Sequence, residues 1–203
     1  MSQTIRVLFL DIGGVLLSNG WDDSSRREAA ERFGIDFKEM ERRHQLFAAI
    51  LEEDGISLDE YLKRVVFFHE RDFSEDEFRQ FMFSRSRSHP KAIDFMRQLK
   101  SRHAIRVAAI NNESRELTRH RIDSFGLALL FDFFVTSCYA GIRKPDERIY
   151  RLALDLACVE PGEAVYIDDR PALAEVAGSL GINTIVHESL AETRSALITL
   201  GLP

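Results

Sequence analysis

Short runs of branched and aromatic residues recur along the chain at Ile5–Leu10, Ile105–Ile110, Phe133–Thr136, Ala164–Ile167 and Thr184–Val186, each bounded by polar or glycine positions. Runs this brief and this uniformly apolar predict strands buried on both faces. From position 90 onward a different period separates them. Ala92, Phe95, Met96 and Leu99 stand at i, i+3, i+4, i+7, and so do Ile149, Leu152, Ala153 and Leu156, and Leu173, Val176, Ala177 and Leu180. That spacing lays one apolar stripe along each of three helices. Strand–helix alternation of this kind predicts an α/β fold, a doubly wound parallel Rossmann-like sheet of about five strands.

Residues 17–88 break the rhythm. They carry no convincing strand, only helical periodicity and helix-start signals. "SLDE" (Ser57–Glu60) and "SEDE" (Ser74–Glu77) both fit a capping box, with serine at the N-cap and glutamate three residues on. Leu58, Tyr61, Leu62 and Val65 then form one apolar stripe, and Phe78, Phe81 and Met82 another. The expected organisation is a core of residues 1–16 and 89–203 with a helical bundle of about four helices inserted between them. The chain returns to the core through "SRSRSHP", where Pro90 biases its neighbour away from helix.

Composition narrows the class. The 203 residues are 45% hydrophobic and include 15 Phe, enough for a filled core without disulfides or structural metal. A net charge of −6 argues against general nucleic-acid binding. Arg85, Arg87, Arg115, Arg119 and Arg121 cluster locally and read as solvated helix surface. Cys138 and Cys158 make no disulfide framework, and no Cys/His pattern has zinc spacing. The opening "MSQTIRVLFLDIGG" lacks a basic n-region and has too short an apolar run for a signal peptide or membrane span. A soluble, cytoplasmic protein without membrane contact is expected.

In an open parallel sheet, ligands bind beyond the carboxyl ends of the strands. The first expected strand is followed by Asp11, Gly13 and Gly14, the second by Asn111 and Asn112, the third by "GIRKPD" with Lys144, and the fourth by Asp168 and Asp169. Each of these features alone is commonly a turn or a helix cap. Together, in this order, they bring three carboxylates, one lysine and two amides to one sheet edge. Such a set suits a divalent cation plus an anionic substrate.

The four segments "FLDIGGVL", "AAINNES", "GIRKPDERIY" and "VYIDDRPALAEVAGSLGI" resemble, in order, the four motifs of the haloacid dehalogenase-like hydrolase superfamily. The resemblance spans the whole chain, is closest in the third and fourth motifs, and is to the phosphatase-type subgroup with a helical cap after the first motif. It implies a cap at residues 17–88, an Mg²⁺ cofactor and a small phosphorylated metabolite as substrate. Asp11 would be the nucleophile, forming an aspartyl-phosphate that water hydrolyses, and Lys144 would hold Asp11 and the phosphate. Gly14, Asn111 and Asn112 would contribute donors to the phosphate. Asp11, Asp168 and the backbone carbonyl of Gly13 would ligate the metal, with Asp169 in support. A homodimer through the cap is compatible with this reading.

Three positions depart from the pattern. The family's usual acid/base aspartate, two residues after the nucleophile, is Gly13 here, which keeps the carbonyl ligand and loses the proton donor. General acid–base help is worth about 10²–10⁴ in rate, so good leaving groups such as acyl, aryl or sugar-1-phosphates are expected to be favoured. Asn111 replaces the usual Ser or Thr of the second motif, and an amide still donates. Ala172 stands where an acid often assists the metal, so weaker Mg²⁺ binding is expected. The same departures leave open a catalytically weak relative that binds a phosphorylated ligand or protein partner. A metal-independent dehalogenase would leave Asp168 and Asp169 without a purpose. His44 and His69, both in the insertion, read as histidines satisfied within it.

Overall fold

The computed structural model describes residues 4–203. Strand β1 (Val7–Leu10) lies at the centre of a five-stranded parallel sheet, flanked by β2 (Arg106–Asn111) and β4 (Ala164–Asp168). The outer strands are β3 (Phe133–Thr136) beside β2 and β5 (Asn183–Val186) beside β4, giving the order β3-β2-β1-β4-β5. In β1, Val7 stands opposite Arg106 on one side and Ala164 on the other.

The uniform apolarity of the strands follows from their two buried faces. Leu8, Leu10, Val107, Ala109, Val165 and Ile167 pack on one side with Ile93, Met96 and Leu99 of the helix Pro90–His103. Val7, Phe9, Ala108, Ile110 and Tyr166 pack on the other with Ile149, Tyr150 and Ala153 of the helix Glu147–Ala157. Side chains alternate between faces along each strand, so the inner strands β1, β2 and β4 are apolar on both faces along most of their length, whereas the edge strands β3 and β5 are only partly buried and β5 carries Asn183 and Thr184.

Expected and observed boundaries differ in an informative way. Strand β1 starts at Val7 rather than Ile5, whereas β2 and β4 each run one residue further, to Asn111 and Asp168. The ladder extends because Asp168 pairs with Val186 and its carbonyl accepts from His187 N at 2.9 Å. Two polar side chains are thereby fixed by sheet backbone instead of loop. Leu156 does not join the core: it is 54% exposed, and Leu180 lies just past the last turn of its helix.

Between β1 and β2 the chain forms α1 (Asp23–Arg32), α2 (Phe37–Glu52), α3 (Leu58–Val65) and α4 (Glu75–Ser84). Both expected capping boxes close, at Ser57/Glu60 and Ser74/Glu77. The stripes Leu58, Tyr61, Leu62, Val65 and Phe78, Phe81, Met82 are buried in an apolar cluster separate from the two that sandwich the sheet. Helix α5 (Pro90–His103) follows with proline at its first position. The outgoing and returning chains run side by side: Ser18 N donates to Arg87 O at 2.8 Å and His89 N to Leu16 O at 2.8 Å. Ser18 Oγ adds bonds to Arg85 O and from Arg87 N. The insertion therefore hangs on two tied linkers directly beside the end of β1.

The remaining helices are α6 (Arg115–Phe125), α7 (Ser137–Ala140), α8 (Glu147–Ala157), α9 (Pro171–Ser179) and α10 (Leu190–Thr199). Among the described residues, no helix is long and apolar enough to cross a membrane. Cys138 is buried and Cys158 exposed, both as free thiols.

Candidate active site

The carboxyl ends of β1, β2 and β4 converge on one buried ammonium. Lys144 Nζ donates to Asp168 Oδ2 at 2.7 Å, Tyr166 Oη at 2.9 Å, Asp11 Oδ1 at 3.0 Å and the Ile110 carbonyl at 3.0 Å. Lys144 is 3% exposed, Asp11 7% and Asp168 fully buried. A lysine is buried this deeply only when paired. Tyr166 also donates to Asp168 Oδ2. This tyrosine, two residues before Asp168 on the inward face of β4, is absent from the sequence expectations because its position reads as ordinary core.

Two amides divide the work of the second motif. Asn112 Nδ2 donates to Lys144 O and Lys144 N donates to Asn112 Oδ1, both at 2.8 Å. Its side chain thus holds the lysine backbone while the residue lines the cavity beside Asn111. Asn111 is the contrasting case: it is 3% exposed and its Nδ2 has no partner. A buried unpaired N–H is costly, so Asn111 is the side chain with a hydrogen bond left to give.

The acidic side of the cluster has the same character. Oxygens of Asp11, Asp168 and Asp169 all lie within 4.8 Å of one another. Asp168 Oδ1 accepts from Arg170 N, and Asp169 Oδ2 accepts from Asn19 Nδ2 at 2.9 Å, while Asp169 Oδ1 is buried with no partner. Three hard oxygen donors against one ammonium, with one carboxylate oxygen orphaned, fit a divalent cation such as Mg²⁺. Burial pushes Asp11 up to about 6 against the pull of Lys144, with Asp168 adding to the rise.

The glycines of the first loop serve close approach. Gly14 has φ +72°, and a Cβ there would fall 2.1 Å from Asp169 Oδ2, so only glycine admits the aspartate. Gly14 lies against Asp169 and away from the cavity that Asp11, Gly13 and Lys144 line. A Cβ at Gly13 would meet Asn19 Oδ1 at 2.9 Å, with Arg121 Nη1 3.8 Å away. Ala172 is exposed in the first turn of α9.

A cavity of about 390 Å³ opens above this cluster. Its floor includes Asp11, Gly13, Asn111 and Lys144, and its opposite wall comes from the inserted helices, including Arg26, His44 and Glu52. His44 accordingly does more than fill the insertion. Its Nδ1 bonds Tyr61 Oη at 2.8 Å while the residue lines the cavity, and burial holds its pKa down at about 4. His69 is exposed against Phe68.

One expectation fails outright. Arg121, expected on solvated helix surface, is 1% exposed and lines the cavity. Its guanidinium is satisfied by Glu113 Oε2 at 2.6 Å, Ser86 Oγ at 3.1 Å and Ser18 O at 3.3 Å. The signal was present: Arg121 falls on the same face of α6 as Leu117 and Thr118, both buried. Glu113, directly after the two asparagines, was missed for want of a partner in the sequence. Its side chain is 12% exposed, and burial pushes its carboxyl up to about 7 despite the pull of Arg121.

A family model described as haloacid dehalogenase-like hydrolase matches residues 5–181. Flavin mononucleotide hydrolase 1 of Arabidopsis thaliana is 28% identical over 176 residues, 84% of this chain and 69% of that protein. Acyl-CoA dehydrogenase family member 10 of Mus musculus is 49% identical over 55 residues, 27% of this chain but only 5% of that much longer protein. In fold, a haloacid dehalogenase family enzyme of Bacteroides thetaiotaomicron, solved in complex with magnesium and inorganic phosphate, superposes with a TM-score of 0.77 at 22% identity. That likeness covers 93% of this chain and 98% of the other.

Proposed function

The chain belongs to the haloacid dehalogenase-like hydrolases, and from that premise we propose that it is an Mg²⁺-dependent phosphatase of a small phosphorylated metabolite. The observation that carries the reading is the single ammonium of Lys144 joining the carboxylates of Asp11 and Asp168 on the floor of the cavity. Two similar proteins support it: one is named for hydrolysis of a phosphomonoester, flavin mononucleotide, and another was solved with magnesium and phosphate bound.

Asp11 would attack phosphorus to form an aspartyl-phosphate, which water then hydrolyses. Lys144 orients Asp11 and offers positive charge to the phosphoryl oxygens, while Asn112 keeps the lysine in place through its backbone. Asn111 Nδ2, unpartnered in the cavity floor, would donate to the transferring group. Asp11, Asp168, Asp169 and the Gly13 carbonyl would hold Mg²⁺, which when bound neutralises charge on the phosphoryl oxygens. Residues 17–88 would act as the cap, since their helices form the wall facing Asp11 and would select the substrate.

The loop bearing Asp11 has no proton to give at position 13. Whatever is cleaved must depart unaided, as aryl, acyl or sugar-1-phosphates do, or take its proton from another wall of the cavity. The test is a panel of phosphomonoesters assayed for phosphate release with Mg²⁺, beside Asp11→Asn. The expected result is release by the wild type from at least one ester and none by the variant. Release that persists in Asp11→Asn would refute the reading.

A further inference from the structure

The side chains that fill the space beside Gly13 form a buried acid–base pair that the reaction has not yet used. Arg121 reaches in from α6, with Nη1 3.8 Å from where a Gly13 Cβ would stand. A side chain at Gly20 would fall directly on the same guanidinium. The arginine is therefore threaded between two glycines of the first loop and fixed by Ser18 and Ser86. The same Nη1 holds Glu113 Oε2 at 2.6 Å, and Glu113 lines the cavity with Asp11, Gly13 and Lys144. An arginine that anchors a carboxylate at this place needs an explanation, because a buried ion pair by itself adds little stability.

Building on the phosphatase reading above, we propose that Glu113, held by Arg121, is the proton donor and acceptor that stands in for the side chain missing at Gly13. In the first half-reaction the bond from phosphorus to the leaving oxygen breaks as Asp11 attacks. The protonated Glu113 carboxyl gives its proton to that oxygen, releasing an alcohol and leaving a carboxylate. In the second half-reaction the Glu113 carboxylate takes a proton from water as the water oxygen attacks phosphorus. The bond to Asp11 breaks, inorganic phosphate leaves, and both side chains return to their starting states. Arg121 is the positioning residue: it aims the carboxyl and steadies its anionic form.

The charged groups facing Glu113 agree with a role in both directions. Burial above all, then Glu52 on α2 and Asp11 after β1, raise its pKa, Arg121 on α6 and the Ser114 backbone lower it, and the balance stands at about 7. Near neutral pH both forms are then populated, as an acid that later serves as a base requires.

The experiment compares wild type with Glu113→Gln on a simple alkyl phosphate and on para-nitrophenyl phosphate, both with Mg²⁺. For the alkyl ester, kcat/KM is expected to fall about 10²–10⁴-fold, and for the aryl ester by less than about tenfold. In the wild type, kcat/KM for the alkyl ester should decline as pH rises through about 7, and that limb should vanish in the variant. Adding Gly13→Asp to Glu113→Gln should restore part of the alkyl activity, because the new carboxyl would lie beside Arg121 once the Asn19 amide moves aside. Should Glu113→Gln fail to fold, Glu113→Asp keeps the charge against Arg121 while withdrawing the carboxyl, and the same selective loss is expected. Equal losses on both esters, or none, would overturn this inference alone. No hydrolysis of any ester by the wild type would overturn the phosphatase reading and this inference with it.

Discussion

Replacing Lys144 with methionine removes the one cation around which the sheet edge is organised. Its ammonium makes four contacts between 2.7 and 3.0 Å, two of them to carboxylates, and methionine keeps most of the stem but none of these. Asp168 would be left fully buried with only Tyr166 and the Arg170 N–H as donors, beside Asp11 and Asp169 of like charge. Breaking a buried pair by removing one partner costs about 3–5 kcal/mol. For a chain of this size each kcal/mol moves Tm by about 2–4 °C, so a fall of about 6–20 °C is expected. Melting followed by circular dichroism at pH 7, with and without Mg²⁺, measures it. A divalent cation should raise the Tm of Lys144→Met more than that of the wild type, because it supplies the charge the lysine no longer does. A variant melting within about 2 °C of wild type would refute the idea that the lysine balances a buried carboxylate cluster.

Asn112→Ala removes both 2.8 Å bonds to the Lys144 backbone and should cost about 1–3 kcal/mol in a urea melt. Because a lysine displaced by about 1 Å can lower turnover about 10²-fold, phosphatase activity should fall far more than stability, and unchanged kcat would count against a positioning role. His44 tests the pH dependence of stability. It is held neutral, with a pKa near 4 instead of 6.5, so between those values the unfolded chain binds a proton the folded chain does not. Stability should therefore be unaffected by this group above pH 6.5 and decline as pH falls to 4, by about 2–3 kcal/mol after allowance for solvent screening. His44→Gln should flatten that decline in urea midpoints measured at pH 7, 5 and 4, and a parallel decline in both proteins would show that other groups carry it.

How much of this was readable beforehand depends on whether a residue's role is local. Strands β1, β2 and β4 were legible because burial on both faces leaves an apolar run, β3 and β5 because short apolar runs persist even at the partly buried sheet edges, and the capping boxes at Ser57 and Ser74 because serine and glutamate signal across three residues. Asp11, Asn111, Asn112, Lys144, Asp168 and Asp169 were legible as strand-end residues, since a parallel sheet delivers its strand ends to one edge. Their division of labour was not. Asn111 and Asn112 are the same residue type side by side, and only the fold shows that one is bonded to Lys144 while the other is left with an unpaired N–H. Arg121 and Glu113 were missed because their meaning is a contact across eight residues and two glycines, which no single-helix pattern encodes. Arginine is usually exposed, and that prior outweighed the stripe on which Arg121 sits.

Central to the proposed reaction is the transfer of the phosphoryl group to Asp11. The direct measurement is an acid quench of wild-type protein turning over para-nitrophenyl phosphate with Mg²⁺, followed by mass spectrometry of the peptide that contains Asp11. A phosphorylated Asp11 is expected in the wild type, absent after EDTA and absent in Asp11→Asn. Steady hydrolysis with no phosphoryl group on Asp11, or with one on another residue, would contradict it.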